Sequence, residues 1–101
     1  MALQLQREPL LLGDPQQPLR RLAWCTGGAQ GYFEEAILAG ADVFITGEVS
    51  ERMADMARES GVAFVSAGHY ATEQYGVQAL AAHWAAQFGV SYHFVPVPNP
   101  V

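Results

Sequence analysis

Three glycines, Gly40, Gly61 and Gly89, constrain this chain more than any other feature. Each ends a stretch whose apolar residues recur with helical spacing, and each is followed within two residues by an apolar run that reads as a strand. The helical stretches run from about Tyr32 to Ala39, from Ser50 to Ser60 and from Ala71 to Phe88. The strand runs are Asp42–Thr46, Val62–Ala67 and Val90–Val97, and Leu19–Cys25 precedes them all. The residues between do not match one another, so this is a rhythm of consecutive βα units rather than a sequence repeat. Such units build a mostly parallel sheet. Short, almost wholly apolar strands such as Val43-Phe44-Ile45 suit a sheet covered on both faces.

The expected fold class is therefore α/β, with a mostly parallel sheet of about five strands and an N-terminal hairpin. The hairpin would pair Pro9–Leu12 with Leu19–Cys25 across Gly13-Asp14-Pro15-Gln16-Gln17-Pro18, a strong turn signal. Residues 1–8 have no clear partner and are expected as a disordered or linking tail, leaving 9–101 as a single domain. Ser50 is the expected N-cap of the second helix. Leu80, Trp84 and Phe88 recur every four residues on the third and are expected in the core, as are Met53 and Met56 on the second. Cys25 reads as a buried thiol acting as a small hydrophobe, with no activating base near it in sequence.

Composition removes several function classes. The formal charge is −5, all five basic residues are arginine, and only Arg20-Arg21 adjoin. That is not the basic stripe a nucleic-acid binder needs. No apolar run approaches the roughly 20 residues of a membrane span. The first residues lack the marks of a signal peptide, and a lone cysteine forms no internal disulfide, so a cytoplasmic location is the default expectation.

Chemistry-bearing residues gather at the carboxyl ends of the expected strands, where open parallel sheets bind ligands. These ends read Cys25-Thr26-Gly27-Gly28, Thr46-Gly47-Glu48 and Gly68-His69 with Glu73. His69 and Glu73 stand four residues apart, which on a helix places them on one face about 6 Å apart at the backbone. Imidazole and carboxylate together suit Zn, Mn, Fe or a similar divalent ion. The spacing equally admits a plainer reading, in which Glu73 complements the helix dipole and His69 is a half-buried turn residue. Glu48 reads as a third ligand, a general base, a partner of His69 or a solvent-facing turn carboxylate. His83, fourteen residues along the helix from His69, would lie roughly 21 Å away and cannot complete the set. His93 alternates with Tyr92 and Phe94 and reads as structural. Thr26 to Gly31 is like a phosphate-cradling turn but lacks the lysine and glycine spacing of the known loops.

Four motifs then carry a resemblance. Trp24-Cys25-Thr26-Gly27-Gly28-Ala29-Gln30, Phe44-Ile45-Thr46-Gly47-Glu48-Val49-Ser50-Glu51, Ala67-Gly68-His69-Tyr70-Ala71-Thr72-Glu73 and Val97-Pro98-Asn99-Pro100 resemble, in order, the C-terminal half of the YbgI-like family. Its members are called GTP cyclohydrolase type 2 homologs and are described as dinuclear-metal, ring-forming proteins. The resemblance covers about Pro9 to Val101 and implies that His69 and Glu73 are metal ligands. It also implies up to two divalent ions per intact site, a homo-oligomer, and metal-dependent hydrolysis of a nucleotide-like or phosphate-bearing small molecule. Glu48 would then be the base or the group that orients His69. The family's remaining ligands, an adjacent His-His pair and an aspartate, lie in an N-terminal half this chain does not carry. The alternative expectation is an oligomerisation or interaction module in which the metal residues no longer work.

Overall fold

The computed structural model describes residues Met1–Val101. In chain order it contains helix α1 (Ala2–Leu5), strand β1 (Leu10–Leu12), strand β2 (Leu22–Cys25), a 3-10 turn (Gln30–Tyr32) leading into α2 (Phe33–Leu38), β3 (Val43–Thr46), α3 (Arg52–Ser60), β4 (Ala63–Ser66) and α4 (His69–Phe88). The class is α/β, but the sheet is a mixed one of four strands in the order β1-β4-β3-β2. β2 pairs with β3 and β3 with β4 in parallel, while β1 runs antiparallel to β4. Residues 1–8, expected as a tail, carry the single turn of α1.

Two expectations about the sheet are corrected. β1 and β2 form no hairpin; they lie at opposite edges. The Pro-rich connection instead crosses the amino ends of β4 and β3, where the Gln17 side-chain amide donates to the Asp42 carbonyl at 2.8 Å. Asp42 then receives β2, its carboxylate accepting the N–H groups of Arg20 at 2.7 Å and Arg21 at 2.8 Å. The expected fifth strand, Val90–Val97, joins no ladder. α4 is 20 residues long, about 30 Å at 1.5 Å per residue, and carries the chain away from the sheet before Gly89 turns it back. The returning segment follows the helix, with Tyr92–Val95 facing Val77, Gln78 and Ala81. It ends at the start of α4, where the Tyr70 N–H donates to the Val101 carbonyl at 3.0 Å.

The core lies on one face of the sheet. α2 and α3 both pack there, bringing Phe33, Ala36, Met53 and Ala57 against Phe44 and Phe64. Phe33 and Phe64 meet edge to face with ring centroids 4.9 Å apart, the favoured geometry for aromatic pairs. Met53 is fully buried and Met56 packs partly against the same cluster, as their spacing indicated. The opposite face holds a smaller cluster, Val43, Ala63, Val65 and Ala67, covered in part by Leu5.

Three further expectations fail. Leu80, Trp84 and Phe88 form the expected stripe, but they are exposed, because the far part of α4 has no sheet or helix to pack against. Cys25 is exposed for a related reason, since β2 is an edge strand and its neighbour Trp24 is 73% exposed. Ser50 does not cap α3 through its side chain; its carbonyl accepts the Met53 N–H at 2.9 Å, and its hydroxyl faces the Gln30 amide at 3.5 Å.

Candidate functional site

The carboxyl ends of β2, β3 and β4 lie side by side, and the turns that follow them are bonded to one another. Gly47 N–H donates to the Gly27 carbonyl at 2.8 Å, and Gly68 N–H donates to the Gly47 carbonyl at 2.9 Å. Side-chain hydroxyls complete the stitching. Thr46, fully buried, donates to the Gly27 carbonyl at 3.2 Å and accepts from Ala29 N–H at 3.3 Å. Ser66 donates to the Gly47 carbonyl at 3.1 Å. Thr72 accepts the Gly27 N–H at 3.2 Å while donating back to the Gly68 carbonyl at 2.8 Å. Glycine is required at Gly47, where a Cβ would stand 2.5 Å from the Gly27 oxygen and 2.6 Å from the His69 Cα. Gly68 has φ +102, and a Cβ there would meet the Arg7 side chain, which donates to the Pro100 carbonyl at 3.1 Å.

These turns bring Glu48, His69 and Glu73 together. His69 opens α4, so Glu73 one turn later lies on the same face, and its Oε2 is 3.0 Å from His69 Nε2. Glu48, on the turn after β3, reaches the other ring nitrogen, with Oε1 2.6 Å from Nδ1. The imidazole is thus held between two carboxylates. Its pKa is raised, first by the hydrogen bond to Glu48, which outweighs the opposing desolvation, and then by the charge of Glu73 and its hydrogen bond. The first turn of α4 contains no acidic residue, so the plainer reading of Glu73 as a dipole partner loses its main support. The arrangement fits an ion chemically. One ring nitrogen and one carboxylate oxygen lie beside each other, 3.0 Å apart, and a second carboxylate holds the remaining ring nitrogen as its proton acceptor, as is usual behind metal-bound histidines. The set is also incomplete, since no group of three or more His, Cys, Asp or Glu converges on one point.

His83 and His93 take no part in this cluster. Thr46, Ser66 and Thr72 organise the turns, a role their place in the sequence does not by itself assign them. Their signal was a hydroxyl residue one, two or four positions from a strand-end glycine, as in Thr46-Gly47, Ser66-Ala67-Gly68 and Gly68 with Thr72.

A model of the Duf34/NIF3 (NGG1p interacting factor 3) family matches residues 2–100. The chain belongs to that family. Within it, a Pseudomonas aeruginosa protein named GTP cyclohydrolase 1 type 2 homolog is 56% identical over 96 residues, which are 95% of this chain and 38% of that protein. A Neisseria meningitidis serogroup B protein of the same name is 51% identical over 96 residues, 95% of this chain and 39% of the other. Among solved structures, one described as protein ybgI, of unknown function, superposes with a TM-score of 0.91 at 43% identity, covering 99% of this chain and 41% of that one. A Thermus thermophilus protein gives 0.90 at 30% identity over 99% of this chain and 40% of that one. The resemblance carried by the four motifs therefore holds, and the chain spans about two fifths of the length of these family members.

Proposed function

We propose that this chain contributes part of a divalent-metal site, with His69 Nε2 and Glu73 as ligands and Glu48 as the group that orients His69. The observation that carries this reading is the three-residue line in which Glu48 Oε1 lies 2.6 Å from Nδ1 and Glu73 Oε2 lies 3.0 Å from Nε2. A carboxylate on Nδ1 holds the proton there, so Nε2 is the nitrogen that gives up its proton, the one facing Glu73, when an ion binds. Glu73 supplies negative charge beside it, and the mixed nitrogen and oxygen donors suit Zn, Mn or Fe. The missing donors come from outside these residues, either from the remainder of a family-length chain or from a neighbouring copy.

The activity we attach to the completed site is metal-dependent hydrolysis of a small molecule, nucleotide-like or phosphate-bearing. A bound ion would supply Lewis acidity toward a substrate oxygen. The residues of this chain hold the imidazole in one tautomer and place charge at Nε2. Elemental analysis of the purified chain and of His69→Ala tests the ligand assignment. Stoichiometric metal that vanishes in the variant is expected; no metal in either protein removes the proposal for the chain alone.

A second reading has one observation in its favour, the exposed stripe of Leu80, Trp84 and Phe88 on α4. It makes the chain an assembly module whose metal residues are silent. Sedimentation of metal-free protein separates the two: an oligomer that forms without metal, in a chain that retains none, favours the module.

A further inference from the structure

We propose that Gly27 is a positioning residue, whose missing side chain leaves the space against His69 that the Glu73 carboxylate occupies. This rests on reading His69 and Glu73 as ligands. The Glu73 side chain is 54% exposed and flexible, so holding it at Nε2 has an entropic cost and needs a confining wall. Gly27 supplies that wall. A Cβ built on it would stand 3.0 Å from Glu73 Cδ and 3.2 Å from His69 Nε2, and would overlap Glu73 Oε1. The carboxylate lies where any other residue at this position would put its side chain.

The wall itself is fixed from both sides. Gly27 N–H is held by Thr72 Oγ1 at 3.2 Å, and its carbonyl accepts from Gly47 N–H at 2.8 Å and Thr46 Oγ1 at 3.2 Å. Thr72 belongs to the same helix as Glu73, so the turn and the carboxylate are referenced to one element. An added methyl group at Gly27 therefore meets a tethered backbone on one side and the free end of a long side chain on the other. The side chain yields.

Gly61 provides the control. It has the same φ, +73, but a Cβ there would meet nothing within 4 Å. Gly27→Ala and Gly61→Ala thus carry like backbone strain, and only the first removes the room for Glu73. Both variants are expected to melt somewhat below the wild type. Crystal structures of the metal-free proteins are expected to show the carboxylate displaced from Nε2 in Gly27→Ala alone. Titration with Co2+, followed by visible absorption, is expected to give affinity lower by about tenfold to a hundredfold in Gly27→Ala, and unchanged within about twofold in Gly61→Ala. A carboxylate still within hydrogen-bond reach of Nε2 in Gly27→Ala overturns the proposal. So does an affinity equal to that of Gly61→Ala when the wild type binds Co2+. Wild-type protein that binds no Co2+ counts against the metal reading, while the metal-free carboxylate position still decides the role of Gly27. Should Gly27→Ala not fold, Thr72→Val removes the acceptor for the Gly27 N–H at nearly constant volume. The same two readouts then apply, displacement supporting the proposal and an unmoved carboxylate overturning it.

Discussion

The two ends of the sheet both gather carboxylates, and they treat them in opposite ways. At the amino end, Asp42 spends its side chain on the backbone, accepting the N–H groups of Arg20 and Arg21. Those hydrogen bonds hold its pKa below the usual carboxylate value, with the two arginine charges helping. At the carboxyl end, Glu48 and Glu73 share one imidazole, and the backbone groups around them are already bonded to each other. The first arrangement is closed and joins two strands. The second leaves lone pairs with nothing to accept from, in a setting where hydroxyls and glycines have taken over the structural work. The difference separates a carboxylate that holds the fold from carboxylates that the fold holds.

The largest effect that would break this comparison is expected from His69→Ala. It should abolish metal retention while leaving the thermal midpoint nearly unchanged, as read by elemental analysis and calorimetry; a collapse of the fold would place His69 among the structural groups instead. Next comes Glu48→Ala, expected to weaken Co2+ or Zn2+ binding by about tenfold to a hundredfold in calorimetric titration, the usual range for losing the carboxylate behind a metal-bound histidine. The third expectation concerns pH. Binding must displace the proton that the two glutamates stabilise on His69, so apparent affinity should fall by up to about tenfold per pH unit below the raised His69 pKa and level off above it. An affinity independent of pH between about 5 and 8, the range in which a histidine with ordinary or raised pKa titrates, would speak against His69 as a ligand.

The smallest effects are those on stability, and here the two ends have opposite signs. In metal-free protein the raised His69 pKa contributes stability that is fully present below its unfolded value, about 6.5, and is lost as pH rises through the folded value. The lowered Asp42 pKa contributes stability present above its unfolded value and lost as pH falls through the folded one. Asp42→Asn should therefore lower the midpoint at neutral pH and flatten the acid limb of stability, with metal binding intact. Denaturation curves across pH would show whether the limbs separate in this way.

How far the sequence discloses this molecule depends on which contacts are local. The glycine punctuation located α2, α3 and α4 to within a few residues, because helix period and a left-handed C-terminal residue are written in adjacent positions. β3 and β4 were legible as apolar runs. The partner of β1 was not, because Leu10–Leu12 pair with Phe64–Ser66, more than 50 residues further along the chain. The Leu80, Trp84 and Phe88 stripe was correctly read as a stripe and wrongly as core, since a stripe states what a helix could bury and not whether a surface exists to bury it. At the site, the His69–Glu73 spacing was visible at once. The contact of Glu48 with Nδ1 needed two parallel strands in register, which only the folded sheet supplies.

Both chain termini meet at the start of α4. Arg7 bonds to the Pro100 carbonyl, Tyr75 donates to the Gln4 carbonyl at 2.6 Å, and Tyr70 donates to Val101. For anyone purifying the protein this has a practical consequence. A polyhistidine tag fused before residue 1 or after residue 101 would hang beside His69 and Glu73 and offer the very imidazoles that their pair lacks. Metal measured on such material could belong to the tag. The Asp14–Gln17 turn lies at the opposite end of the sheet, away from His69 and Glu73.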